Sequence, residues 1–101
     1  MEERIYESHS DESLLVEAHN LVNEIRAFSG HHFVSERKVE QLSSRVNELV
    51  FELNLRSKKW LATGESEEIK EMVSIIAKTI ENLKSSLEKL KQHVIQTEPG
   101  N

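Results

Sequence analysis

IKEMVSIIAKTIENLKSSLEKL, residues 69 to 90, carries an apolar side chain every three or four places along its whole length. That spacing returns to one side of an α-helix at each turn. Ile69, Val73, Ile76, Ile80, Leu83, Leu87, Leu90 and Val94 alternate steps of four and three, a heptad pattern sustained over about four repeats. Ser66 is placed to accept from the free amides at the start of this helix, and Glu67 and Glu68 suit its positive end. Pro99-Gly100 lies beyond its other end.

Upstream, Thr63-Gly64 is a stop signal, and the helix that it closes has its own stripe. Val39, Leu42, Val46, Leu49 and Leu53 step by three and four, and Trp60 falls back on the same line. Ser35 is a good N-cap, with Val34 before it and Val39 after it at the two positions of a hydrophobic staple. Further upstream, Leu14, Ala18, Leu21, Val22, Ile25 and Phe28 share one face. Ser10 and Asp11 begin that helix, and Gly30 stands where a left-handed stop residue belongs.

The spacing therefore predicts helices over 11–29, 36–62 and 67–96, between a flexible tail at 1–10 and a disordered end at 97–101. Ile5 and Tyr6 are the tail residues able to dock on the bundle. Links this short force antiparallel neighbours. The expected architecture is all-α, an antiparallel up-down-up three-helix bundle with a short first helix and two longer ones. At about 1.5 Å per residue the first helix is shorter than its partners by roughly 12 Å or more. This leaves part of the second and third helices as a two-helix extension or a docking surface.

Composition supports that class. Of the 101 residues, 37% are apolar and 31% charged, with three Gly and one Pro, which suits helices that each bury one stripe. The net charge of -5 argues against nucleic acid as a partner, since the one basic cluster, RSKKW at 56–60, is small. There is no cysteine, so disulfides, thiolate metal sites and a cysteine nucleophile are excluded. The acidic start, MEERIYESHSDE, is no signal peptide, and no apolar run approaches the roughly 20 residues that cross a bilayer. These features lead us to expect a cytoplasmic or nuclear protein without membrane insertion.

Catalytic signals are absent. There is no glycine-rich phosphate loop, nucleophile elbow or paired-carboxylate cleft. Of five histidines, His31 and His32 are adjacent in a loop while His9, His19 and His93 are scattered, which is poor spacing for a metal. No cofactor or metal is expected. EAHNLVNEI, around His19, partly resembles the Ala-His-x-Leu-Lys-Gly motif of histidine phosphotransfer domains, through Ala18, His19 and Leu21. Val22 and Asn23 stand where that motif has its Lys and Gly.

Interaction signals are better. Phe51 and Leu55 fall more than about 90° from the stripe of the second helix, where large apolar residues are candidates for a partner contact. On the third helix Met72 and Ile75 widen the stripe toward the first helix, and Lys70, Lys84 and Lys91 flank the other side.

From Leu14 to Lys91 the order of parts resembles the BAG domain, the three-helix module of co-chaperones that bind heat-shock chaperones. IRAFSG, residues 25 to 30, is similar to the family's first-helix ending, and NELVFELN, residues 47 to 54, to its second-helix ending. The family's contact acids fall here on Asn54 and Ser44, and its basic pair and glutamine on Val73, Ser74 and Glu81. A register shifted by three offers Lys70 and Lys78 instead. The resemblance implies a non-catalytic module that docks on the ATPase domain of a chaperone and promotes nucleotide release. Glu48, Asn54, Lys70 and Lys78 would be polar contacts, with Phe51 and Leu55 as apolar anchors. The chain is expected to be a monomer or to associate weakly. The alternatives are a coiled-coil assembly subunit whose heptads pair between chains, and a phosphotransfer domain using His19.

Overall fold

The computed structural model describes residues 6–29 and 34–97, with only the backbone over 93–97. Expectations for the tail residues 1–5, Gly30, His31, His32 and residues 98–101 lie outside the described residues, as do the side chains of His93 and Val94. Three helices follow in order: α1 (Asp11–Ser29), α2 (Glu36–Thr63) and α3 (Glu67–Thr97). They form a three-helix bundle.

Each helix starts on a serine. The Ser10 hydroxyl accepts from the Ser13 amide at 3.0 Å, Ser35 from Lys38 at 3.1 Å, and Ser66 from Ile69 at 3.3 Å. A cap of this kind contributes about 1 kcal/mol. Val34 and Val39 both join the core, closing the staple around Ser35. At the far end of α2, Gly64 takes φ 147° and ψ -162°, a backbone state that L residues rarely adopt. A Cβ there would meet Ile69 Cδ1 at an ordinary 3.6 Å, so backbone conformation alone calls for glycine. The Thr63 hydroxyl donates to the Trp60 carbonyl at 2.6 Å, satisfying one acceptor of the last turn.

The helix directions follow from which residues meet. Asp11, at the start of α1, reaches Arg56 and Trp60 near the end of α2, while Glu24, late in α1, reaches Arg45 and Lys38. These two helices are therefore antiparallel. Leu15 and Ala18 share a groove with Thr79, and farther on Ser29 shares one with Ser85 and Lys89. So α1 and α3 run parallel, and the topology is up-down-up.

The α3 helix packs against both others, which meet each other less extensively. Leu14, Leu21 and Ile25 of α1, Leu42, Leu49 and Leu53 of α2, and Ile76, Leu83 and Leu90 of α3 are fully buried. Burying one such side chain contributes about 2 kcal/mol. Val39, Met72 and Ile80 border this core and are half-buried, as is Trp60. The resulting body is a slab of 54 × 31 × 19 Å with a radius of gyration of 15.6 Å, longer than the roughly 13 Å of a compact domain this size.

Two expectations require correction. Residues 6–10 are not a loose tail: they form a turn against the bundle, with Tyr6 packed on the core and the His9 amide bonded to the Tyr6 carbonyl at 3.1 Å. Nor does α1 leave a long part of α2 uncovered. It runs from the level of Trp60, through Asp11, to that of Lys38, whose ammonium lies 4.9 Å from the centre of the Phe28 ring. The last turn of α2 with the start of α3, and at the other end the part of α3 past Lys89, project beyond it.

Leu83→Ala is expected to lower unfolding free energy by about 2–5 kcal/mol, read by denaturant titration. A loss below about 1 kcal/mol would mean that position 83 is not in a packed core.

A buried latch and a candidate interaction surface

The stripe of α2 has one charged member. Arg56 stands three residues after Leu53 and four before Trp60, in step with the apolar series, and it is buried. A buried guanidinium requires partners for its donors. Glu52, one turn earlier and only 1% exposed, accepts from Arg56 Nε at 2.9 Å. Asp11 accepts from Nη1 at 2.6 Å, and the carbonyls of His9 and Tyr6 accept from Nη2 at 2.7 and 3.1 Å. Trp60 Nε1 donates to the other Asp11 oxygen at 2.8 Å. One side chain of α2 thus ties down the first turn of α1 and the turn that leads into it.

The electrostatics follow from this arrangement. Burial works against charge on Asp11, yet the hydrogen bonds from Arg56 and Trp60, with the charges of Arg56 and Lys59, outweigh it and hold the carboxyl below the usual aspartate range. Burial likewise opposes the Arg56 charge, and Asp11 and Glu52 more than restore it. Burial raises the Tyr6 phenol, and the charges of Glu17 and Glu48 raise it further against Arg45. Tyr6 therefore sits over the junction of α1 and α2.

Along the rest of that junction, Arg45 pairs with Glu24 at 3.0 Å and lies 3.9 Å from Glu17. Lys38 lies 3.9 Å from Glu24. These pairs are half-exposed and each contributes about 0–1 kcal/mol. They link α1 to α2 along the junction.

The outer surface of α2 carries four of the six expected contact residues. Glu48, Phe51, Asn54 and Leu55 recur at three- and four-residue steps on the half of the helix turned from the core. Phe51 is 46% exposed and Asn54 is exposed, while Glu48 and Leu55 are half-buried. Glu48 and Leu55 lie on the flank nearer α1, where Tyr6 docks, and Asn54 lies on the flank nearer α3. Lys70 and Lys78 are both exposed on α3. At about 100° per residue they stand about 80° apart, Lys70 on the flank nearer α2 and Lys78 on the side turned away from the core. The structure thus brings together Glu48, Phe51, Asn54 and Leu55, with Lys70 on the neighbouring flank, and sets Lys78 apart. Val16, Leu61 and Ile75 are further exposed apolar residues, one on each helix.

The RSKKW cluster is smaller as a basic patch than its sequence suggests, because Arg56 is consumed internally. The signal for the latch was a charge in step with an apolar stripe and an acid one turn before it. The third partner, Asp11, lies too far away in sequence for spacing to find.

His19 is exposed at the edge of a shallow hollow between α1 and α3, and Val22, where a phosphotransfer motif has its Lys, is a core residue. Among the described residues no three His, Asp or Glu side chains converge on a possible metal position. Among them, too, no helix is long and apolar enough to cross a membrane. No family model matches the chain, and comparison with curated proteins and with solved structures finds no match.

Arg56→Ala takes the guanidinium from both Glu52 and Asp11 and is expected to cost about 3 kcal/mol or more in denaturant unfolding. Replacing both residues, Glu52→Leu with Arg56→Met, is expected to recover most of that loss. Equal instability of the single and double variants would show that the pair itself is not what matters. For Asp11 the sign follows from its lowered pKa: its contribution is complete above the unfolded value of about 3.9 and fades as pH falls through the folded value. The stability difference between the native chain and Asp11→Asn should be flat near neutral pH and shrink in acid. A difference that grows on acidification would contradict the pairing.

Proposed function

We propose that this chain is a non-catalytic protein-docking module whose contact surface is the outer face of α2. The observation that carries this reading is Phe51, a large aromatic 46% exposed on a helix tied to α1 by the Arg56 latch. An aromatic anchor set in a polar rim is the usual form of an energetically dominant contact. Glu48 and Asn54 supply such a rim, Leu55 extends the apolar centre, and Lys70 stands on the adjacent flank. The hollows among the described residues are shallow and open, which favours surface docking over a reaction in a cleft.

The proposed partner is the ATPase domain of a heat-shock chaperone, in the cytoplasm or nucleus, with docking that favours its open, nucleotide-released form. Support for this comes from the order of three helices and from the IRAFSG and NELVFELN endings. In the alternative, an assembly subunit, α3 would pair with a second copy. The burial of Ile76, Leu83 and Leu90 within one chain favours docking by a monomer.

Calorimetric titration of the chain with a purified chaperone ATPase domain, with and without ATP, tests the proposal. Binding weakened by ATP is expected, as is a loss of about 2 kcal/mol, roughly thirtyfold, in Phe51→Ala with its melting temperature unchanged. No binding in either nucleotide state removes the chaperone as partner. Full affinity in Phe51→Ala removes the α2 face.

A further inference from the structure

The groove between α1 and α3 contains a hollow of about 280 Å³ whose lining differs in character from the rest of this acidic chain. Arg26 of α1 and Lys89 of α3 stand on its two walls, and Asn82, Ser85 and Ser86 line the α3 side. These α3 residues recur at steps of three and four, so they project one above another along the groove. No carboxylate lines the hollow, nor the adjoining one that it meets at Arg26 and Asn82.

Ser86 points to a ligand. It is 6% exposed, yet its hydroxyl makes no side-chain hydrogen bond, and it borders the hollow. Among the described residues no buried side-chain polar atom lacks a partner, so this hydroxyl opens onto the hollow, where it can donate to an acceptor. Arg26 and Lys89 also make no ion pair among the described residues, in contrast to Arg45 and Arg56. The remaining lining residue, Ser29, already donates its hydroxyl to the Ile25 carbonyl at 3.1 Å, which quenches one acceptor of the nearby helix end.

We propose that this hollow is an oxyanion site that takes a phosphate group, free or carried as a monoester. The reasoning is a count of donors. A guanidinium, an ammonium, an amide and hydroxyls at different heights surround one space, with no competing negative side chain. A phosphate monoester brings close to two negative charges and three acceptor oxygens, which match two cations and donors on several sides. A planar carboxylate brings one charge and would leave donors unused. The site lies on the α1–α3 side of the bundle, away from the α2 face, so the two can be occupied independently.

Amide NMR titration of the full chain at constant ionic strength tests this, with inorganic phosphate, O-phosphoserine and serine as probes. Saturable shifts confined to Arg26 and the stretch from Asn82 to Lys89 are expected with the two phosphates and not with serine. Tighter binding of phosphoserine would identify an esterified ligand, and tighter binding of phosphate a free ion; both support the site. Arg26→Gln and Lys89→Gln, at exposed positions, should each weaken binding about tenfold, the equivalent of one charge-assisted hydrogen bond. Lys58→Gln, on an exposed position of α2, should leave it unchanged. Shifts that do not saturate, that appear equally at Lys58 and Lys70, or that persist in the Arg26→Gln, Lys89→Gln double variant would overturn the proposal.

Discussion

The burial of the α3 stripe from two sides at once is the constraint on which the molecule depends. A heptad stripe can zip onto one partner helix, but here α1 and α2 each turn an apolar face to it. Because both faces are spent on α3, the α1–α2 junction is left to longer polar side chains. Arg45 between Glu17 and Glu24, Lys38 over Phe28, and Arg56 on Asp11 fill it. The division of labour is physically sensible. Apolar burial supplies most of the free energy, and directional pairs choose one register among several that the stripe alone would permit.

Arg56 illustrates how much one such choice can settle. A leucine at that position would continue the α2 stripe and bury as well. The guanidinium instead draws in Glu52, Asp11 and the carbonyls of Tyr6 and His9, which fixes where α1 begins and how the chain enters it. It also holds Tyr6 over the α1–α2 junction, which leaves Phe51 and Asn54 the most open of the expected contact residues on α2.

The bundle was legible because its signals are local. Period-matched stripes, serine caps and the Thr63-Gly64 stop each act within a few residues, and single-sequence reading sees that range. The latch was only half legible. Arg56 and Glu52 are one turn apart, but their meaning comes from Asp11, brought close by folding alone. The reach of α1 along α2 was misjudged for the same reason: helix length is local, whereas the lean of long side chains such as Lys38 and Arg56 across a junction is not. Spacing placed Phe51 and Leu55 off the core, but only the structure separates the exposed ring from the half-buried leucine. It likewise sets Lys70 near α2 and turns Lys78 outward from the core.

Both surface proposals assume that one copy of the chain buries its own α3 stripe. The melting temperature as a function of protein concentration measures this most directly, because folding within one chain is first order while pairing between chains is not. Over about a hundredfold range of concentration, an intramolecular seam requires a constant midpoint and the mass of a single chain. A midpoint that climbs with concentration, with a dimer or larger mass, would show α3 pairing between molecules and would remove the basis for both surfaces.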